Sequence, residues 1–279
     1  MKRMALGSLV LALAVMLALP GWAQDEKTFD RVQIRLNYWT ADYLGKVRLE
    51  DKDVLNETDN IIGEEVNLVD DLGLETPKAI PEIELLFRLS QRHRILLSYY
   101  AVDYSGETDL DSNLEFIGYK FEANTSLKTQ FQLYRIMFLY DYVPLQNDRG
   151  HLGIVFGVEY YSWRVGYKGI AEKAGAGVAV DDAKTLPIPM PVIGLEGGIV
   201  IIDGLEFYGR LAGMGAKYQD ISGSYIDLDT GLSWGYKNLY VGAGYRLLQS
   251  RLDANLDDDK SYGLQLANSG WLISVGARF

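Results

Sequence analysis

The chain has 279 residues, a net charge of −11 at neutral pH and no cysteine. The acidity argues against nucleic acid as a partner. The missing cysteine excludes thiolate catalysis and Cys-ligated metal, and the length suits one large domain or two small ones.

The first segment, MKRMALGSLVLALAVMLALPGWAQ, has a Lys2/Arg3 start, an apolar run from Ala5 to Leu19, and small residues at Gly21 and Ala23. That is the pattern of a cleaved export signal, residues 1–23, followed by a mature chain of residues 24–279. The apolar run is short for a membrane-spanning helix, and no cysteine follows the expected cut to take a lipid.

Beyond Ala23 no segment approaches the roughly 18 apolar residues of a membrane helix. Alternation recurs instead, with about ten period-2 stretches. They run near Asp30 to Thr40, Ile80 to Leu89, His93 to Tyr104, Thr129 to Tyr142, His151 to Tyr167, Pro189 to Ile201, Leu205 to Lys217, Ser224 to Tyr236, Leu239 to Leu248 and Ser261 to Phe279. The connections alternate as well. Ser90 to Arg92, Val143 to Gly150, Ile202 to Gly204 and Lys237 to Asn238 are short, whereas Ala41 to Ala79, Ser105 to Lys128, Lys168 to Ile188 and Gln249 to Lys260 are long. Tight turns at one end and long loops at the other, on an even number of strands, mark a transmembrane barrel with both termini at the short-turn end.

The two faces of the strands agree with this. Pro81, Ile83, Leu85, Phe87 and Leu89 share one side of the second stretch and Glu82, Glu84 and Arg88 the other. In the third, Ile95, Leu97, Tyr99 and Ala101 oppose Arg94, Ser98 and Tyr100. A lipid-facing exterior around a polar lumen accounts for charges recurring on the second face. Tyr140, Tyr142, Phe207, Trp234 and Tyr236 fall towards the short turns and Tyr38, Tyr160, Tyr245 and Trp271 towards the loops, as two interfacial girdles would. In these respects, and in its last stretch WLISVGARF, the chain resembles the small bacterial outer-membrane barrels of the OmpA, OmpX and OmpW type. The resemblance implies an all-β fold, a transmembrane up-and-down antiparallel barrel of about ten strands in a bacterial outer membrane. Its partners would be outer-membrane lipids, lipopolysaccharide and the barrel-assembly machinery.

Parity places Arg35, Arg88, Arg94, Arg135, Arg210, Arg246 and Arg278 in the lumen with Glu82, Glu84, Asp141, Glu159, Glu196, Glu206, Asp227 and Asp229. Charges in a narrow, partly dry interior need partners, so the balanced set predicts a ladder of ion pairs filling it. A barrel of about ten strands has little room beyond its own side chains.

The two histidines, His93 and His151, both follow short turns, far from the outer rim. A histidine-based enzyme at that rim is disfavoured, and both read as polar residues flanking turns at the periplasmic interface. No metal site or cofactor is expected, since a third His or any Cys is missing. Acidic residues crowd the first loop (Glu50, Asp51, Asp53, Glu57, Asp59, Glu64, Glu65) and the last (Asp253, Asp257 to Asp259) without ordered ligand spacing. They read as a solvated surface that divalent cations could bridge to lipopolysaccharide phosphates.

In PIPMPV, Pro187, Pro189 and Pro191 share one parity, so their missing N–H donors weaken a single seam. Two readings follow: a lateral gate for a lipid or small apolar molecule, or prolines that stiffen a loop entering the strand above the membrane. KAGAGVAV (Lys173 to Val180) reads as a flexible outer loop and VGAGYRL (Val241 to Leu247) as small lumen residues, because neither opens a helix after a strand. The stretch VNLVDDLGLETPKAIPEIELLFRL looks like a motif with no activity attached to it.

The leading functional reading is therefore a non-enzymatic barrel that presents surface loops. A narrow pore or lateral-gate transporter stands second, and an outer-leaflet lipid-modifying enzyme third. The lumen glycines Gly153, Gly157, Gly194, Gly198, Gly242 and Gly244 favour the pore. The resemblance also implies that Phe279 is part of an assembly signal. Deleting Phe279 is expected to impair membrane insertion, read as loss of the heat-modifiable folded band in outer-membrane fractions, and normal insertion of the truncated chain would refute that role.

Overall fold

The computed structural model describes residues 30–51, 66–111, 113–116, 119–173, 176–218, 221–257 and 260–279, all of it strand, turn or loop. The export signal read at 1–23 lies outside these residues. Strands are numbered in chain order: β1 (Val32–Asp51), β2 (Val66–Asn67), β3 (Lys78–Arg88), β4 (His93–Asp109), β5 (Leu114–Phe116), β6 (Tyr119–Phe121) and β7 (Ser126–Asn147). They continue with β8 (Gly150–Lys173), β9 (Ala176–Ile202), β10 (Leu205–Tyr218), β11 (Ile221–Tyr236), β12 (Leu239–Asp257) and β13 (Lys260–Arg278). Ten of these form the wall, in the order β1, β3, β4, β7, β8, β9, β10, β11, β12, β13. The last pairs antiparallel with the first, from Gln33–Arg278 to Asp51–Lys260, which closes the barrel and removes its free edges at that height.

Period-2 patterning selects the faces. On β7, Tyr134, Ile136 and Phe138 are exposed while Leu133, Arg135, Met137 and Leu139 are buried. On β13, Trp271, Ile273 and Val275 point outwards and Leu272 and Ser274 inwards. The outward apolar band is bounded by rings: Tyr38, Tyr99, Tyr134, Tyr160, Tyr245 and Trp271 at the loop end, Trp234 and Tyr236 at the turn end. The turns are tight. Asp203-Gly204 joins β9 to β10 with Gly204 at φ +79°, a left-handed conformation that glycine adopts without a Cβ penalty.

The strands outrun the membrane. A tilted strand needs about 9–11 residues to cross, and β8 has 24 and β9 has 27. The alternation ends the fifth strand at Tyr167 and begins the sixth only at Pro189, short of β8 and β9, because polar outward residues such as Lys168 and Asp181 look like loop once alternation against lipid ends. The region read as a flexible loop, Lys173 to Val180, is hairpin wherever the structure describes it, with Lys173 paired to Ala176. Pro187, Pro189 and Pro191 accordingly sit inside β9 and not in a loop entering it.

The unassigned motif also finds its place. β3 is short, so above it the edges of β1 and β4 face a notch. The segment 66–75 fills that notch: Val66 pairs with Val47 of β1, and Leu74 bridges Gly106 of β4. Between these contacts the chain dips into the barrel mouth. There Leu68 and Leu72 are fully buried, and Thr129 Oγ1 donates to the Leu72 carbonyl at 2.9 Å. They complete an apolar core with Tyr104, Phe121, Phe131, Trp163 and Tyr167. Gly106 permits the close approach, since a Cβ there would meet the Gly73 carbonyl carbon at 2.6 Å.

Candidate functional site

Below this apolar core the lumen is filled by charge, in layers set by strand register. The uppermost layer centres on Arg135 of β7 and Arg246 of β12, both without solvent exposure. Arg135 grips Glu159 of β8 with two parallel bonds, Nε to Oε2 at 2.7 Å and Nη2 to Oε1 at 2.8 Å, and reaches Glu82 at 3.2 Å and Asp227 at 3.1 Å. Arg246 holds Asp227 of β11 through Nε at 2.9 Å and Nη2 at 2.6 Å, and donates Nη1 to Glu82 at 2.8 Å. Glu82 of β3 is thus shared, one oxygen to each guanidinium, with Asn37 Nδ2 at 3.0 Å and the Ser98 hydroxyl as further donors. The Tyr161 hydroxyl donates to Glu159 at 2.8 Å. Tyr225 lies 2.8 Å from Glu159 and 3.0 Å from Asp227. Rings of Tyr100 and Trp39 stack over the guanidiniums at 5.5 and 5.2 Å.

This arrangement suits arginine. Its guanidinium stays charged and offers five donors in a rigid fork, so it can bind several carboxylates at once in a site with no water to help. The layer lies at lipid height, since Arg135 sits between the outward-facing Tyr134 and Ile136.

The next layer towards the turns pairs Arg35 with Glu84 and, at 3.5 Å, with Asp229. Arg210 sits 3.4 Å from Glu84 and 3.7 Å from Asp229. The last layer opens into a vestibule of about 120 Å³. There Arg94 bonds Glu196 at 3.0 Å and faces Asp141 at 3.4 Å, while Arg278 lies 3.8 Å from Glu206. Arg88 lines the same vestibule. All the arginines and acids assigned to the lumen by parity therefore point into it.

One lumen residue was misread from sequence. His151 does not lie in the lipid interface; its Nε2 is 3.2 Å from Glu196 and its Nδ1 3.8 Å from Glu206, between the carboxylates of neighbouring strands. Parity alone would have found it, since position 151 shares the face of Gly153 and Glu159. His93 does stay on the outer wall, against Tyr140 and Tyr142.

The lumen glycines do not make a channel either. A Cβ at Gly153 would strike the Asp141 and Glu196 carboxylates, and one at Gly198 would strike Glu206. At these two positions neighbouring acids fill the volume, whereas a Cβ at Gly157 or Gly194 would meet the backbone of the adjoining strand and one at Gly242 or Gly244 the Ser274 or Tyr208 hydroxyl.

Two other sequence features can be placed. Phe279 exchanges backbone hydrogen bonds with Val32, at 2.8 and 3.0 Å. At the prolines, β8 and β9 pair without interruption from Gly150–Ile199 to Lys173–Ala176, whereas β9 and β10 pair only from Ile202–Leu205 to Ile193–Gly213. The missing donors therefore face β10, and that seam ends just below Pro191. Of the acidic loop residues, Asp53, Glu57, Asp59, Glu64, Glu65, Asp258 and Asp259 lie outside the described residues. Glu50, Asp51, Asp253 and Asp257 fall on strands. No cluster with metal-binding geometry occurs among the described residues.

A closed ten-strand antiparallel barrel with an apolar belt, two aromatic rings and a charged interior is an outer-membrane β-barrel. Among solved structures, the outer-membrane protease OmpT of Escherichia coli superposes with a TM-score of 0.50 at 13% identity, covering 91% of this chain and 99% of that one. The translocator domain of the autotransporter NalP from Neisseria meningitidis gives 0.44 at 11% identity, with 100% and 98% coverage. The toluene transporter TodX of Pseudomonas putida gives 0.37 at 10%, covering 90% of each chain. The OmpT likeness is one of fold. No protein-family model and no curated protein matches the sequence.

Removing one member of a buried ion network strands its partners, at about 3–5 kcal/mol. Arg246→Met should therefore lower the unfolding temperature of the detergent-folded barrel, measured by loss of heat-modifiable mobility. Asp227→Asn added to it should cost less than the sum of the single losses. Strict additivity would show that the two residues do not act as a unit.

Proposed function

We propose that this chain is a non-enzymatic outer-membrane barrel that passes no solute along its axis and serves to present its extended outer strands and loops. The observation that carries this reading is the Arg135–Arg246 layer. It ties β3, β7, β8, β11 and β12 together across the lumen with no exposed atom on either guanidinium side chain. An aqueous path would have to break several charge-assisted bonds in a dry environment, which is a large barrier. The positions of His93 and His151, both at the turn end, support the non-enzymatic part of the reading. In planar bilayers the folded protein is expected to show no large, stable conductance; a steady porin-sized current contradicts the proposal, as would altered lipid A or peptide profiles on overexpression.

A lateral route for an apolar solute is the second reading, and the end of the β9–β10 seam favours it. Val158 pairs with Pro191 and Tyr160 with Pro189, so the unpaired stretch begins within the apolar band and below the outer ring. Buried Ile188, Met190 and Val192 stand behind it. Spin labels at positions 190 and 192 should be relaxed by oxygen dissolved in lipid if the seam admits apolar molecules. Relaxation by aqueous nickel complexes alone would end this reading.

A further inference from the structure

At the turn end an imidazole is built into the wall between two carboxylates. His151 follows the β7–β8 turn and lines the vestibule, with Nε2 3.2 Å from Glu196 Oε2 of β9 and Nδ1 3.8 Å from Glu206 Oε1 of β10. A glycine makes the place for it. Gly198 pairs with His151 on one side and with Tyr208 on the other, and a Cβ there would lie 2.1 Å from Glu206 Oε1 and 2.9 Å from His151 Cε1. The bare backbone of β9 at this point lets the ring and the Glu206 carboxylate share one space.

The ring's donors set what it can do. A neutral imidazole has one N–H donor and one acceptor nitrogen, whereas an imidazolium donates from both. Here each nitrogen faces a carboxylate, which only accepts. The neutral ring therefore serves one acid and turns a lone pair towards the other, and the contact at 3.8 Å lies outside hydrogen-bond range. A protonated ring donates to both, and each bond is charge-assisted. With 19% of its side chain exposed, His151 can exchange its proton with water.

The two acids carry the effect around the wall. Glu196 also accepts from Arg94 of β4 at 3.0 Å, beside Asp141 of β7, which lies 3.4 Å from the same Arg94 nitrogen. Glu206 is 3.8 Å from Arg278 of β13. Arg88 of β3 and Tyr208 of β10 line the same space. The β9–β10 ladder shifts register between Leu205 and Glu206, next to the acid that the ring faces. An ion pair from His151 to Glu206 ties β8 to β10 across the end of β9, where the backbone pairing is irregular.

We propose that His151 is a proton-operated latch: protonation joins Glu196 and Glu206 through one imidazolium and draws the ends of β8, β9 and β10 together, and deprotonation releases Glu206. The turn end faces the periplasm, so the barrel tightens its inner end as that compartment acidifies. The pair of charge-assisted bonds exists only with the ring charged. Its contribution is present at low pH and lost as pH rises through the range in which histidine changes charge, about pH 5 to 8.

The test compares urea unfolding of the detergent-folded protein at about pH 7.5 and about pH 5.5, on either side of the histidine transition. Going to the acid condition should raise the folded-to-unfolded ratio about tenfold, the effect of one added hydrogen bond to a charged group. The chain has two histidines, so imidazole-labelled protein carrying His93→Gln reports His151 alone by NMR, and its signal should become that of a doubly protonated ring over the same range. His93→Gln should keep the stability response and His151→Gln should abolish it. Gly198→Ala, which keeps every titratable group but displaces the Glu206 carboxylate, should weaken it. Glu206→Gln, at the open rim of the vestibule, should weaken it too and serves if Gly198→Ala does not fold. An unaltered protein whose stability is the same at both pH values overturns the proposal. So does a response that survives in His151→Gln, which would belong to the other acids of the vestibule, or one undiminished in Glu206→Gln.

Discussion

Everything in this barrel is arranged around the cost of keeping charge in a dry interior. Arg135 and Arg246 cannot shed their protons, so each must be surrounded by carboxylates, and Glu82, Glu159 and Asp227 come from three different strands to do so. That requirement links register to chemistry. A slip of one residue on any of these strands would turn a lumen charge into the lipid and an apolar side chain into the network, so the ion layer penalises every alternative pairing. The aromatic faces of Tyr100, Tyr161 and Trp39 lie over the same guanidiniums and seal the layer from the apolar core above.

The two ends of the lumen solve different problems. At the turn end, a small polar vestibule holds pairs from 3.0 to 3.8 Å, where water entering from the periplasmic end can share the load. At the loop end the wall is notched by a short β3, and the segment 66–75 supplies both the missing edge partner and the leucines that fill the mouth. On the far side, prolines on β9 face an edge that β10 has left. Such an edge is one of the few places in a sheet where proline is tolerated, since no partner there needs its missing N–H, and it blunts the free edge.

Much of this was legible in the chain because a strand has period 2. Alternation separated lipid-facing from lumen-facing positions, and every arginine and acid assigned inwards by parity from Arg35 to Arg278 points inwards. Tyr38, Tyr160, Tyr245 and Trp271 likewise fall in the ring at the loop end. His151 flanks a turn, which suggests the interface, but its parity puts it in the lumen between Glu196 and Glu206. The outer end of β8 beyond Tyr167 and the outer half of β9 before Pro189 do not show in the alternation, because a strand outside the membrane loses the apolar face that makes it visible.

What the sequence determined by itself was the barrel, its strand parity and the composition of its interior, all of which follow from local periodicity. Only the tertiary structure decided which charges meet, since Glu82 and Arg246 are 164 residues apart and join only when β1 and β13 close the wall. It likewise decided that Gly153 and Gly198 leave room for neighbouring carboxylates, that VNLVDDLGL is a wall segment and mouth plug, and where the β9–β10 seam ends. These depend on the relative lengths and heights of non-neighbouring strands, and no local pattern records how far one strand rises beside another.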